Sequence, residues 1–216
     1  MLYDVRAARD NIRNKDGKRV FYLGPGDQLT PSARDLLNSM RVQICPPPAK
    51  TEKPEEMTNL NGDVLVPKTH PAIRFRGQLD GLQAEMLLCG KRYPALQPVL
   101  EEFLELSRKI MACDVLNEPL PEVELLGLTA AQLRSHSHFP QKYYEKPHFM
   151  PTFEDSGEVL GLNKLRTLIR STELAAIAAH PTRQDLIEAL NRMSSAMYIL
   201  MIQLKPTPEH HGIMTP

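Results

Sequence analysis

Two stretches between residues 158 and 204 carry apolar side chains at three- and four-residue steps, and a proline separates them. Leu162, Leu165, Ile169, Thr172 and Ala176 form one stripe; Leu186, Leu190, Met193, Met197, Leu200 and Leu204 form the other. This is the period of an α-helix with one buried face. Pro181 cannot continue the first helix, and Thr182 with Asp185 three residues on supplies N-cap chemistry for the second. The segment therefore predicts a helical hairpin. Its polar positions are ordered too. Arg166, Arg170 and Glu173 fall on one strip of the first helix, and Asn191, Ser194 and Tyr198 on one strip of the second.

The same period marks a helix from about Ala72 to Gly90, opened by Pro71, and another from about Ala95 to Leu116, kinked early at Pro98. Thr129 caps a short helix, and residues 140–157 read as an irregular bridge. Near the N-terminus, Lys18–Leu23 and Val42–Cys45 have strand character. Between them Thr30 and Pro31 open a helix at 33–39, which makes a β-α-β unit. The expected class is mainly α: an up-and-down bundle of four long helices and one short, with a small β-α-β-like N-terminal extension. The expected divisions are an extension at 1–47, a Pro-rich linker and loop at 48–63 with a Gly62-Asp63 turn, the bundle at 64–205 and a flexible tail at 206–216.

Lys+Arg and Asp+Glu number 26 each, so no global field favours nucleic acid or an anionic membrane. No apolar run approaches the roughly 20 residues that span a bilayer, and no signal segment is evident. Three scattered cysteines fit a reducing cytoplasm. His136 and His138, two apart on a helix, diverge, so no metal site is expected. Phosphate-loop, zinc-protease and nucleophile-elbow signatures are absent.

Arg166, Arg170 and Glu173 fit a solvated face with an ion pair, and they also fit a phosphate clamp with two guanidinium groups one turn apart. Asn191 lies between Leu190 and Met193, at the core edge, where an amide needs a partner. Lys68 precedes the helix opened by Pro71, so an ammonium and free backbone N–H groups converge where an anion could sit. Asp80 interrupts the apolar strip of Ile73, Leu79, Leu82 and Met86 in that helix.

In order along the chain, LTPSARDLL, VPKTHPAIRFRGQLD, LRTLIRSTELAA and ALNRMSSAMYILMIQL are similar to the ethanolamine-utilisation branch of the corrinoid adenosyltransferases. More remotely they resemble the PduO-like ATP:cob(I)alamin adenosyltransferases. The likeness runs from about Gly24 to Leu204. The family's Lys, Pro and G-x-(L/V)-D pattern stands here as Lys68, Pro71, Gly77 and Asp80. Its R-x-x-x-R-x-x-E is Arg166, Arg170 and Glu173, and its N-R-(L/M)-S is Asn191, Arg192, Met193 and Ser194.

The resemblance implies transfer of the 5′-deoxyadenosyl group of ATP to cob(I)alamin, with Mg²⁺ on the triphosphate. It implies a catalytic set of Arg166, Arg170 and Glu173, and ATP contacts from Thr58, Asn59, Lys68, Asn191 and Arg192 as well as the two arginines. It puts His148, Phe149 and Asp80 with the corrinoid, Phe149 beneath the ring. It further implies a homotrimer with ATP bound between subunits, a reductase, and ethanolamine ammonia-lyase as user of the product. The location implied is the cytoplasm, in association with a bacterial microcompartment. Four departures stand against this. The glycine-rich ATP loop survives only as Thr58 to Asp63. Leu174 replaces an arginine that pairs with the helix aspartate, and Ser195 replaces an aspartate. The paired-cysteine metal motif of enteric members is missing, since no cysteine lies between Cys45 and Cys89. A non-catalytic corrinoid- or nucleotide-binding bundle is the alternative, and a structural partner of a metabolic shell a third reading.

Overall fold

The computed structural model describes residues 1–15, 18–47, 53–61 and 64–206, which fall into two compact units divided between Lys53 and Pro54. The central part of the linker, the Gly62-Asp63 turn and the tail beyond Pro206 lie outside the described residues.

The first unit comprises β1 (Leu2–Tyr3), α1 (Val5–Asp10), β2 (Arg13–Lys15), β3 (Lys18–Tyr22), β4 (Gln28–Leu29), α2 (Pro31–Ser39) and β5 (Gln43–Cys45). The β-α-β element is β3-α2-β5, with the two strands parallel and Val20 opposite Gln43. Pro31 occupies the first turn of α2, and Thr30 Oγ1 accepts from the Ala33 amide at 3.2 Å. Beyond that element, β2 adds antiparallel to β3, β1 pairs with β4, and Asp4 caps the short α1. Phe21, Leu37, Ala33 and Ala8 give this unit its own small core.

The second unit opens with the hairpin β6 (Met57–Asn59) and β7 (Leu65–Pro67). It continues through α3 (Pro71–Arg92), a 3-10 turn (Pro94–Leu96) and α4 (Gln97–Leu116). Next come the hairpin β8 (Glu124–Leu125) and β9 (Leu128–Thr129), α5 (Ala130–His138), α6 (Pro140–Tyr144), α7 (Gly157–Ala179) and α8 (Gln184–Leu204). The four long helices are α3, α4, α7 and α8. α3 packs on α4 and α7, and α8 packs on α7 and α5. Phe75, Leu79, Phe103, Ile110, Ile169 and Met193 are among the side chains at the centre of the core.

Four details differ from the sequence reading: first, Pro98 stands in the opening turn of α4, which starts at Gln97, instead of kinking a helix begun at Ala95. The bridge at 140–157 contains α6, started by Pro140. Thr182 does not cap α8: Arg183 is the N-cap residue, without a side-chain cap, and Asp185 instead accepts from the Leu120 amide at 2.9 Å. Along α8, Leu204 is 43% exposed and Leu200 half-buried, while Met201 and Ile202 are buried. Leu204 stands on the same side of the helix as Leu186, a whole number of turns on, and is exposed as the last residue of α8.

Candidate active site

The α7 stripe of Leu162, Leu165, Ile169, Thr172 and Ala176 is buried throughout. That burial turns the neighbouring strip of Arg166, Arg170 and Glu173 towards α8. There it meets Asn191, Ser194 and Tyr198, and the two strips line one cleft of about 470 Å³. His138 and His148 form part of its wall.

Arg166 is fixed before any ligand arrives. Its Nε and Nη2 donate to Asn163 Oδ1 at 3.3 and 3.1 Å, and its guanidinium lies 6.0 Å from the Tyr198 ring centroid. Burial, then the like charge of Arg170, push the Arg166 pKa below its ordinary value, with Tyr198 acting in the opposite sense. Arginine stays charged at neutral pH regardless. Two guanidinium groups thus share one cleft, and among the described residues neither is in a salt bridge. Such an arrangement is stabilised by bound anionic oxygens.

Glu173 is oriented from the other helix, because Asn191 Nδ2 donates to its Oε1 at 2.8 Å. The Asn191 Oδ1 in turn accepts from Arg192 Nη2. Arg192 does not line the cleft. It is 8% exposed and borders a separate cavity of about 590 Å³ with Arg134 and Glu188. Its position supports Asn191 from behind.

Tyr198 organises the far wall. Its ring stacks on His148 and on Phe149, each at 5.9 Å, and its hydroxyl accepts from the Phe149 amide at 3.2 Å. His148 Nε2 lies 3.1 Å from the His138 carbonyl, which can only accept, so that nitrogen carries the hydrogen and donates. Nδ1 then faces the Tyr198 hydroxyl at 3.2 Å. Phe149 itself does not line the cleft; Lys205 Nζ sits over its ring, 4.9 Å from the centroid. Lys146 straps the same segment to α8 by donating to the Ile202 and Gln203 carbonyls at 3.2 and 3.0 Å.

The remaining expected residues lie outside this cleft. Thr58 and Asn59 are on β6, and exposed Lys68 follows β7, 3.8 Å from Glu55. Asp80 is exposed rather than set into the apolar strip, because the buried face of α3 runs through Leu79, Leu82 and Met86 to either side of it. The buried acid is Asp114 on α4, 5% exposed, which sequence reading missed. Its only local signal was an acidic residue beside Cys113 at the end of an apolar helix. Asn163, three residues before Arg166, was also missed, although its spacing could have found it.

Among the described residues, no three His, Cys, Asp or Glu side chains converge as metal ligands. Residues 50–204 match the cobalamin adenosyltransferase family. The chain is 30% identical to the corrinoid adenosyltransferase EutT of Salmonella typhimurium and 33% identical to that of Escherichia coli K12. Each match covers 90% of this chain and 88% of the relative. The fold is similar to that of a variant PduO-type ATP:corrinoid adenosyltransferase from Lactobacillus reuteri, solved with cobalamin and ATP. That likeness has a TM-score of 0.54 at 15% identity, over 68% of this chain and 87% of that one. Family match and full-length relatives agree on one conclusion: the chain belongs to the cobalamin adenosyltransferase family.

Proposed function

We propose that this chain transfers the 5′-deoxyadenosyl group of ATP to the Co(I) centre of a corrinoid and releases triphosphate. The observation that carries this reading is the convergence of Arg166, Arg170, Glu173 and Asn191 on one cleft. The nucleophile is the reduced corrinoid itself, so the protein needs no serine or cysteine nucleophile. Its task is to place ATP C5′ against cobalt and to stabilise charge leaving on the triphosphate. Arg166, already desolvated and held by Asn163, and Arg170 are placed to do the second, with Mg²⁺ arriving on the substrate.

Glu173, held by Asn191, is suited to orient the ribose or an arginine, and Arg192 acts through Asn191. Thr58, Asn59 and Lys68, outside the cleft, are assigned to the ATP of a neighbouring subunit in a homotrimer. His148, Phe149 and Asp80 are assigned to the corrinoid side, and Tyr198 holds the first two at the edge of the cleft. An apolar ring under the corrin would exclude the lower axial ligand and ease reduction to Co(I). A cytoplasmic location with a microcompartment, a reductase and ethanolamine ammonia-lyase belongs to the same reading. No helix among the described residues is long and apolar enough to cross a membrane.

Incubation with reduced cobalamin and ATP, followed by absorbance, tests the activity: adenosylcobalamin should accumulate with one triphosphate per turnover. Exposed Asp80 and Leu174, the latter 68% exposed, favour a second reading, a non-catalytic binder. It predicts ATP or corrinoid binding without product. A monomer in sedimentation at micromolar concentration with ATP would remove the shared site.

A further inference from the structure

Arg76 on α3 makes hydrogen bonds in two directions. Its Nε donates to Asp114 Oδ2 at 2.6 Å, its Nη1 to the Leu60 carbonyl at 2.7 Å, and its Nη2 to Asn61 Oδ1 at 3.3 Å. The Asp114 side chain is 1% exposed and that of Arg76 14%. A carboxylate so deep cannot give up its cation without leaving an uncompensated charge, so this guanidinium has a fixed seat. The other carboxylate oxygen lies 2.7 Å from Nε2 of His180, the C-cap residue of α7, as a close contact rather than an aligned hydrogen bond. Elements α3, α4 and the end of α7 therefore meet at one acid, and Arg76 carries that fixed point out to Leu60 and Asn61.

Those two residues immediately follow β6, the strand of Thr58 and Asn59. Apolar packing holds this hairpin weakly: Val64 is 55% and Leu65 42% exposed. Polar contacts must supply much of its order. We propose that Arg76, seated by Asp114, is a positioning residue for nucleotide binding. It fixes the Leu60–Asn61 end of the hairpin, so that Thr58 and Asn59 meet the triphosphate without an ordering cost on binding. The inference rests on the assignment of Thr58 and Asn59 to ATP made above.

The test compares wild type with Arg76→Gln, Asn61→Ala and Thr58→Ala. Amide hydrogen exchange at residues 58–61 is measured without ligand, and KM and kcat for ATP are measured in the adenosylation assay. Arg76→Gln and Asn61→Ala should speed exchange and raise the ATP KM, by roughly tenfold for Arg76→Gln. The corrinoid KM and the kcat at saturating ATP should stay near wild type. Unchanged exchange in Arg76→Gln overturns the brace. Faster exchange with a wild-type ATP KM, while Thr58→Ala raises it, overturns the positioning role alone. A wild-type ATP KM in Thr58→Ala overturns the hairpin's assignment to ATP and this inference with it, leaving the α7–α8 cleft untouched. Should Arg76→Gln fail to fold, Asn61→Ala decides, since it cuts the exposed end of the bridge and leaves Asp114 paired.

Discussion

Asn191 Nδ2 donates to Glu173 Oε1 at 2.8 Å, and this bond joins the polar strips of α7 and α8. A carboxylate held by an amide donor loses its freedom to rotate. The same amide accepts from Arg192 Nη2, so a single side chain orients an acid in the cleft and ties down a buried cation behind it.

Asn191→Ala should therefore cost both stability and activity. It removes the acceptor from the guanidinium of Arg192, a residue only 8% exposed, which costs about 1–3 kcal/mol. Urea denaturation should show a lower midpoint at unchanged slope. Wild-type stability in this variant would show that Arg192 does not depend on Asn191.

Arg170→Ala should lower kcat/KM for ATP by about 2–4 kcal/mol, the scale for losing one preorganised charge donor. Arg166→Ala should behave similarly. Lys91→Ala, near the C-terminal end of α3, should not. Steady-state kinetics over ATP concentration decide this, and wild-type values in the Arg170 variant would refute the clamp.

Acid should weaken the fold through Asp185. Hydrogen bonds from Arg183, against an opposing burial effect and aided by the Leu120 and Leu186 amides, hold its carboxyl far below the usual range. A depressed carboxylate contributes stability that is complete above its unfolded value, near 4, and is lost as pH falls towards its folded value. The group is partly solvated, so its share is about 1 kcal/mol. Asp185→Asn should be less stable than wild type at pH 7, with the gap narrowing below about pH 4 in parallel urea titrations. A gap that widens in acid would give the linkage the wrong sign.

Folding should need no transition metal, and activity should need only a hard cation with ATP. Cys45 is in the N-terminal unit, Cys89 on α3 and Cys113 on α4 next to the Pro119 carbonyl, and burial raises the Cys89 thiol above its ordinary value. A raised thiol is a poor thiolate donor. Elemental analysis, with a transition-metal chelator added to an assay containing excess Mg²⁺, should find no stoichiometric zinc or iron and no loss of turnover. Loss of both fold and activity on chelation would refute this.

Much of this protein is local and therefore legible in its residues. The four long helices follow from an apolar period that any α-helix must bury, and Pro31, Pro71 and Thr129 mark starts that the structure keeps. The strips Arg166–Arg170–Glu173 and Asn191–Ser194–Tyr198 follow from spacing alone, because side chains three or four apart share a helix face. What spacing could not decide is which faces meet. Packing of α7 on α8 put both strips into one cleft and turned Arg192, one residue from Asn191, to the other side. Packing of α3 left Asp80 in solvent and set Asp114 between Arg76 and His180, 38 and 66 residues away in the chain. Burial and charge pairing are properties of neighbours brought together by the whole fold, and no window of sequence contains them.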